Sequence, residues 1–253
     1  MLFRSIVTAA VLIIGNEILS GRTRDANLAW LAVELTKLGI RLREARVIPD
    51  VPETIVATVN ELRAKFDYVF TTGGIGPTHD DITAECIAAA FGVALIRNEE
   101  AVRRLEAHYR DKSLLNEARL RMANTPEGAE LIDNPVSKAP GFRIGNVHVM
   151  AGVPAIMQGM FDGLKHRLVG GTKLASRTIN CDIPEGLMAA GLGAIQARNP
   201  TVEIGSYPYM RMGKAGAAIV LRGTDHEELG AAAEAVKALM RTLGGDPTED
   251  PTA

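Results

Sequence analysis

The feature that most constrains the fold is the alternation, over residues 1–168, of short apolar runs with segments of helical spacing. Residues 8–14 form an almost unbroken apolar run, and residues 41–48 and 68–72 are the next strand-like segments. A strand that is buried on both faces has this kind of sequence. Because helical segments separate these runs, right-handed crossovers would make the strands mostly parallel, and a doubly wound α/β domain is predicted.

The helical segments of this first domain follow from apolar spacing and from stop signals. Residues 25–38 place four leucines on one stripe before Gly39, Pro52 suits the first turn of a second helix, and a third helix follows residue 81. Residues 98–123 predict a long charged amphipathic helix with a potential break near Ser113. Strands at 130–133 and 142–151 and a helix at 154–168 complete the domain.

A change of pattern at Gly170 and Gly171 predicts a domain boundary. The following segments are typical of a strand (172–183), a helix (185–198), two strands (202–207 and 215–222) and a helix (226–243). This β-α-β-β-α order predicts a small α+β domain over residues 172–244. Residues 245–253 are rich in proline and acidic residues, and we expect a flexible tail there.

Composition excludes several classes of partner. With 28 Lys and Arg against 30 Asp and Glu, the chain has a formal net charge of −2, which does not favour nucleic-acid binding. No apolar run approaches the roughly 20 residues that a membrane span needs, so no membrane partner is expected. Cys86 and Cys181 lie in apolar or strand-like stretches without metal-ligand spacing. They are interpreted as buried free thiols, which favours a reduced, cytoplasmic location.

Two loops follow predicted strands, at the edge where open parallel sheets bind ligands. The first loop is residues 15–21 followed by Asp25, Ala26 and Asn27, and the second loop is residues 72–81 with sequence TGGIGPTHDD. Glycines let backbone amides approach a ligand, and the next helix offers free N–H groups to an anion. No lysine follows as in a Walker loop, and the dinucleotide spacing is absent. Tight turn chemistry is the plainer alternative for these glycines.

Adjacent carboxylates at Asp80 and Asp81 strengthen the prediction of a ligand site. Two carboxylates beside an anion site repel phosphate unless a divalent cation intervenes, or unless they accept hydrogen bonds from a base-like ring. A capping box of Thr78 with Asp81 is an alternative role for one of them. Glu17 and Asp25 could join this cluster, although Asp25 would serve equally well as a helix N-cap.

Five segments together carry a family resemblance. They are GNEILSGRTRDAN, TTGGIGPTHDDIT, NEARLRMANTPEGAELIDNP, the following APGF, and AGVP near Gly152. In order and spacing they resemble the N-terminal domain of CinA (competence/damage-inducible protein A), within the wider MoaB/MogA molybdopterin-binding fold. The resemblance covers residues 6–168 and implies a three-layer α/β/α domain. The β-α-β-β-α segment also resembles the small domain that follows in CinA-type proteins.

The resemblance implies roles for specific residues. Substrate binding would fall to Gly15, Asn16, Asp25, Asn27, Thr72, Gly73, Gly74, Gly76, Pro77, Thr78, Gly152 and Pro154. Within this set Gly73, Gly74, Gly76 and Thr78 would hold phosphate. Glu17, Asp80 and Asp81 would be the catalytic residues and the ligands of a divalent Mg, Mn or Co ion.

The resemblance also implies a function. CinA relatives are associated with metal-dependent pyrophosphatase activity on ADP-ribose, and a related domain in eukaryotic FAD synthases hydrolyses FAD. The leading expectation is therefore a pyrophosphatase acting on an ADP-ribose-like or FAD-like nucleotide. In MogA relatives the equivalent pocket binds molybdopterin, so the alternative is a molybdopterin-binding protein without hydrolysis. A relative that keeps the fold as an assembly or regulatory subunit is a third possibility.

Relatives form dimers or trimers, so a homo-oligomer is expected.

Three departures from the family pattern bear on function. Ala151 stands where relatives commonly carry proline, and Met122 stands where many carry a polar residue. Both put the identity of the substrate in doubt. The nicotinamide-nucleotide deamidase domain of full-length CinA has no counterpart in these 253 residues, so that activity is not expected.

Overall fold

The computed structural model describes residues 6–109, 111–211 and 213–250, with only the backbone described at Lys112. The chain divides into two compact units, Met1–Gly171 and Thr172–Ala253. The elements of the first unit are, in chain order, β1 (Val7–Ile14), α1 (Asn16–Leu19), α2 (Asn27–Lys37), β2 (Ile40–Ile48), α3 (Pro52–Lys65), β3 (Tyr68–Thr72), α4 (Thr83–Phe91), β4 (Leu95–Arg97), α5 (Glu99–His108), α6 (Glu117–Leu120), β5 (Asn124–Pro126), β6 (Glu130–Ile132), β7 (Gly141–Ile144), β8 (Val147–Met150) and α7 (Pro154–Leu164).

The first unit is built on a six-stranded sheet of order β2-β1-β3-β8-β7-β6. The pairs β1–β2, β1–β3 and β3–β8 are parallel, whereas β7 runs antiparallel to both β8 and β6. The prediction of an α/β domain with a mostly parallel sheet is therefore confirmed. The four parallel strands end at the same edge of the sheet, and the loops that leave β1, β3 and β8 meet there.

Helices cover both faces of this sheet, which explains why β1 is apolar throughout. Its residues Leu12 and Ile14 pack into a core with α3 and α4, while Val11 and Ile13 pack into a second core with α2 and α7. Because successive side chains of a strand point to opposite faces, a central strand between two helical layers needs apolar residues at every position. The resulting architecture is the expected three-layer α/β/α arrangement.

The segment predicted as one long helix over residues 98–123 is not continuous, and it is interrupted near Ser113, where the sequence indicated a break. In its place are α5, a 3₁₀ turn at Lys112–Leu114, α6, and a 3₁₀ turn at Arg121–Ala123. Each α-helix has its own cap, because Asn98 Oδ1 accepts the Ala101 N–H (3.0 Å) and Asn116 Oδ1 accepts the Arg119 N–H (3.1 Å). An asparagine that caps a new helix starts the chain in a new direction. The strand predicted over 142–151 is likewise two strands, β7 and β8, separated by Gly145 at φ +56°.

The second unit contains β9 (Ala175–Cys181), α8 (Glu185–Arg198), β10 (Glu203–Arg211), β11 (Lys214–Gly223), α9 (His226–Thr242) and β12 (Thr248–Glu249). Its sheet has the order β10-β11-β9-β12, and α8 and α9 pack against it around Ile179, Ile219 and Val236. The observed elements follow the predicted β-α-β-β-α order. The flexible tail expected from residue 245 is wrong for β12, which pairs with β9, and residues 251–253 lie outside the described residues.

Ion pairs explain why an acidic, proline-rich segment is held in place. The Arg177 guanidinium donates two hydrogen bonds to the Glu249 carboxylate, at 2.5 and 2.8 Å, and Lys237 Nζ lies 2.7 Å from Glu249 Oε2. Hydrogen bonds from these two cations, Arg177 first, lower the pKa of Glu249 to about 2. The carboxylate and its two partners are each mostly shielded from water, so this cluster is stronger than a fully exposed ion pair.

We expect Glu249→Gln to lower the free energy of unfolding by about 1–3 kcal/mol at neutral pH. The folded-state pKa lies below the usual value of 4.5, so the stabilisation is present above that value and is lost as pH falls toward 2. Chemical denaturation at several pH values should show the deficit of the variant shrinking across this range. Glu227→Gln, at an exposed position, is the control, and an equal effect in both variants would contradict the prediction.

Candidate functional site

The close approach of three strand ends builds the site. Gly73, which follows β3, has φ +103°, and its N–H donates to the Met150 carbonyl at the end of β8 (3.2 Å). A Cβ at this position would lie 2.1 Å from the Ile14 carbonyl oxygen at the end of β1. Only glycine adopts this conformation at this distance without strain. Gly73 therefore sets the spacing of the loops that follow β1, β3 and β8.

The next residues link this turn to α4. Gly74 has φ +67°, and a Cβ there would meet Thr83 Oγ1 at 2.1 Å. Thr83 donates from its hydroxyl to the Gly73 carbonyl (3.0 Å) and from its N–H to the Gly74 carbonyl (2.9 Å). Among the described residues, the N–H groups of Gly74, Ile75 and Gly76 have no hydrogen-bond acceptor. This stretch therefore offers consecutive backbone donors.

The predicted capping box of Thr78 with Asp81 is wrong, because α4 begins only at Thr83. The Thr78 N–H instead donates to Asp81 Oδ2 (2.8 Å), which closes the second loop on itself. The Thr78 hydroxyl lies 2.6 Å from Asp80 Oδ1 and 2.5 Å from Asp81 Oδ2, and its single proton serves one of them at a time.

The structure separates the two adjacent aspartates. The Asp80 side chain is 66% exposed, and the hydrogen bond from Thr78 lowers its pKa. Asp81 is half-buried, and its carboxylate lies so close to Gly76 that a Cβ there would be 2.6 Å from Oδ2. His79, which lies between them, is 97% exposed.

A cleft of about 490 Å³ opens beside the glycines. The predicted site residues that line it are Glu17, Gly73, Gly74, Gly76, Pro77, Asp81, Gly152 and Pro154. A second cavity of about 60 Å³ shares part of this wall, and Asp25, Asn27 and Thr72 line it together with Glu17. The structure thus brings most of the predicted residues from the two loops to adjoining cavities.

The remaining predicted residues, Gly15, Asn16, Thr78 and Asp80, line neither cavity. The Gly15 N–H donates to the Ile48 carbonyl (3.1 Å), and the Asn16 N–H donates to Asp50 Oδ2 (2.8 Å). These bonds fasten the first loop to the end of β2. The geometry therefore gives Gly15 and Asn16 a supporting position behind the cavities.

On the side of the first loop, Asp25 and Asn27 connect α2 to the sheet edge. Asp25 accepts the N–H groups of Asn27 (3.3 Å) and Leu28 (3.0 Å), which satisfies donors at the start of α2 and matches the N-cap alternative. The Asn27 amide group donates to the Gly152 carbonyl (2.8 Å). Asn27 is buried, and it thereby ties α2 to the loop after β8.

Several lining residues were missed from the sequence, among them Thr23, Asn134, Ser137, Ile156 and Met160. Buried Asn134 shapes one wall: its Oδ1 accepts the N–H groups of Val136 and Ser137, and its Nδ2 donates to the Ala139 carbonyl (2.8 Å). An Asn-Pro pair is a turn signal that could have identified this loop. Ala151 and Met122, the two departures from the family pattern, also line the cleft.

The electrostatics of the cleft are unusual for an anion site. No lysine or arginine lines it, and neither Glu17 nor Asp81 is paired with a cation of the described chain. The described part of the chain contains no group of three His, Cys, Asp or Glu side chains arranged to hold a metal. The expected set of Glu17, Asp80 and Asp81 is therefore not gathered into one three-carboxylate site. Magnesium at phosphate sites uses one or two carboxylates with substrate phosphates, and the cleft is lined by two carboxylates, those of Glu17 and Asp81.

Comparison with known proteins identifies the family to which the chain belongs. Residues 10–169 match the family model described as "Probable molybdopterin binding domain", and residues 173–244 match "FAD synthase, middle domain". The chain belongs to the family of probable molybdopterin-binding domains. Membership of this family implies a small-molecule ligand. In the described residues no helix is both long and apolar enough to cross a membrane.

Individual relatives agree with this assignment. A protein from Pyrobaculum calidifontis is 37% identical over 79% of this chain and 80% of its own length, and one from Aeropyrum pernix is 34% identical over 96% and 97%. A "Probable FAD synthase" from Caenorhabditis briggsae is 33% identical over 81% of this chain and 44% of its own length. The solved structure of CinA from Thermoplasma acidophilum, of unknown function, is 34% identical with a TM-score of 0.59, covering 63% of this chain and 98% of that one. The expected CinA-like family is thereby confirmed.

We expect Gly73→Ala to lower the free energy of unfolding by more than about 3 kcal/mol, because the added Cβ meets the Ile14 carbonyl and the backbone is left-handed. Gly92→Ala is the matched control, since Gly92 has φ +66° with nothing within 4 Å of the added Cβ. It should cost only about 1 kcal/mol. Urea denaturation measures both, and equal costs would show that the close approach at Gly73 does not constrain the fold.

Proposed function

We propose that this protein is a divalent-metal-dependent pyrophosphatase that acts on an ADP-ribose-like or FAD-like nucleotide. The observation that supports this proposal is the cleft in which Glu17 and Asp81, two carboxylates without a cationic partner in the described chain, adjoin the glycine amides. Phosphate beside two carboxylates requires a cation between them, since like charges at short range repel. A diphosphate with a bound metal ion offers positive charge to the two carboxylates and oxygen acceptors to the glycine amides.

In this proposal the backbone N–H groups of the glycine loop bind phosphate, and the carboxylates of the cleft bind the metal ion. The N–H groups of Gly74, Ile75 and Gly76 donate to phosphate oxygens, where fixed donors stabilise charge without having to reorganise. Glu17 and Asp81 would hold the divalent ion. When bound, that ion supplies neutralisation of phosphate charge and polarisation of the attacking water. In the reaction, the water oxygen bonds to one phosphorus, the bond from that phosphorus to the bridging oxygen breaks, and the bridging oxygen stays on the other phosphate. The water gives up a proton to solvent, and the two products are AMP and a second phosphate monoester.

The remainder of the cleft suits a flat ring. Met122, Ile156 and Met160 supply apolar lining, and the volume of about 490 Å³ lies within the range of roughly 300–1,000 Å³ that small-molecule sites occupy. Methionine side chains adapt to aromatic surfaces. The similarity to a protein named as a probable FAD synthase, and the match of residues 173–244 to the family model "FAD synthase, middle domain", support a dinucleotide over a mononucleotide.

The family description supports a second candidate, a molybdopterin-binding protein without hydrolysis. In that case Asp81 would accept hydrogen bonds from the ring edge, and no metal would be needed. Calorimetric titration separates the two candidates. Binding of a pterin in the presence of a chelator supports this second function, whereas ADP-ribose binding that disappears on chelation supports the first.

We expect purified protein to release AMP from ADP-ribose or FAD when Mg, Mn or Co is added, and not after chelation. Asp81→Asn should lower kcat at least about 100-fold, because it removes a charge that holds the ion while keeping an acceptor for the Thr78 N–H. Asp80→Asn, at the exposed neighbour, should change kcat only a few-fold.

Product identification by mass spectrometry measures this outcome. Wild-type protein that yields no AMP with any of these ions and substrates refutes the hydrolase. A loss of activity that is larger for Asp80→Asn than for Asp81→Asn refutes the assignment of the ion to Asp81.

A further inference from the structure

The loop of residues 134–139, which forms one wall of the cleft, contains a lysine in a strained backbone conformation. Apart from glycines, Lys138 is the one residue of the described chain with a positive φ, which is +61°. This left-handed conformation is costly for most residues that carry a Cβ, whereas glycine and asparagine adopt it readily. A lysine therefore occupies a position that another residue would fill with less strain.

Buried Asn134 imposes this conformation on the loop. The Asn134 backbone carbonyl accepts the Lys138 N–H (3.2 Å), and its Oδ1 accepts the N–H groups of Val136 (3.0 Å) and Ser137 (3.1 Å). Its Nδ2 donates to Ser137 Oγ (2.7 Å) and to the Ala139 carbonyl (2.8 Å). Because the backbone is held on both sides of Lys138, the strained conformation persists. Strain that is maintained in this way is often found at binding sites.

The strained lysine lies at the edge of the cleft. Ser137 and Ala139, its two neighbours in the chain, line the cleft of about 490 Å³, and Lys138 itself is exposed. Within the described residues its ammonium group has no ion pair or hydrogen bond, and the nearby Asp133 is paired with Arg104 (2.9 Å). The cleft wall contains no lysine or arginine. The loop can thus bring an unpaired ammonium group to a cleft that otherwise lacks a cation.

The charges of the proposed site leave a role for such a group. The carboxylates of Glu17 and Asp81 balance the two charges of a divalent ion, so the metal-loaded cleft is neutral overall. The negative charges of a nucleotide diphosphate then remain uncompensated. A lysine ammonium is a compact charge on a flexible four-carbon stem, and lysine is a common phosphate ligand.

We propose that Lys138 is a substrate-binding residue, whose ammonium group binds the phosphates of the nucleotide from the edge of the cleft. This inference rests on the proposed function, because it needs a nucleotide phosphate in the cleft. The strained backbone is then explained by the position at which the ammonium group has to be presented. Residues that present a functional group often lower stability.

Substitutions at this position separate charge from strain. Lys138→Asn and Lys138→Gly remove the charge and suit the left-handed backbone, whereas Lys138→Arg keeps both the charge and the strain. Lys173→Asn is the control for the change in net charge, since Lys173 is exposed and lines neither cavity. The midpoint of urea denaturation of Lys138→Asn and Lys138→Gly should lie at or above the wild-type value.

The ligands are AMP and α,β-methylene-ADP, titrated by calorimetry with Mg²⁺ present. Neither has a P–O–P bridge, so no turnover interferes. Lys138→Asn and Lys138→Gly should bind α,β-methylene-ADP about 3–10-fold more weakly than wild type, with a smaller loss for AMP because it carries less charge. Both losses should shrink as KCl rises from about 0.05 to 0.5 M, since salt screens exposed charges. Lys138→Arg and Lys173→Asn should stay within about 2-fold of wild type.

Equal affinities of wild type and Lys138→Asn, or no binding of either ligand by wild type, would overturn the inference. A loss that is independent of salt and of ligand charge, a similar loss in Lys173→Asn, or a lower urea midpoint in Lys138→Gly would also overturn it. A charge-dependent loss in a protein that releases no AMP from ADP-ribose would refute the hydrolase and keep Lys138 as a phosphate ligand. Release of AMP with affinities that Lys138→Asn leaves unchanged would do the reverse.

Discussion

The backbone contact of Gly73 with the ends of β1 and β8 is the constraint on which the rest of the site depends. A side chain there would overlap the Ile14 carbonyl, and the Gly73 N–H is bonded to Met150. Because this turn is fixed on both sides, Gly74 faces Thr83 and the start of α4 is set. Asn27 extends the same arrangement to α2 through Gly152. The cavities exist because these backbones approach without side chains between them.

The charge distribution of the cleft follows from this construction. Glu17 from the first loop and Asp81 from the second line the cleft, and no lysine or arginine lines it, so the protein contributes two carboxylates there without a cation. A ligand would meet these carboxylates with positive charge or hydrogen-bond donors, whereas the free N–H groups of Gly74, Ile75 and Gly76 offer it hydrogen-bond donors. The net charge of −2 for the whole chain does not reveal the carboxylates of the cleft, because it averages over surfaces on which opposite charges form local ion pairs.

Two adjacent residues in the second loop have different environments, although they are neighbours in the chain. Asp80 and Asp81 have the same chemistry and share the Thr78 hydroxyl, yet one is largely in water and the other lines the cleft. The difference arises from the way the Thr78 N–H closes the loop onto Asp81. The fold therefore does not place Asp80 and Asp81 together as ligands of one metal ion in the cleft. In the second unit, too, contacts between distant residues decide the outcome. Arg177 and Lys237 pair with Glu249, in a segment whose composition is typical of a flexible tail.

The sequence alone determined several of the periodic elements, because apolar spacing reports directly on which faces are buried. The uniform apolar run of β1, the leucine stripe of α2 and the exact extent of β3 were predictable for this reason. The glycine and aspartate motifs also located the sheet edge and the family. Only the tertiary structure decided which residues share the cleft, that β4 pairs with β5, and that β12 joins β9. These outcomes depend on contacts between residues far apart in the chain, and local spacing carries no information about such contacts.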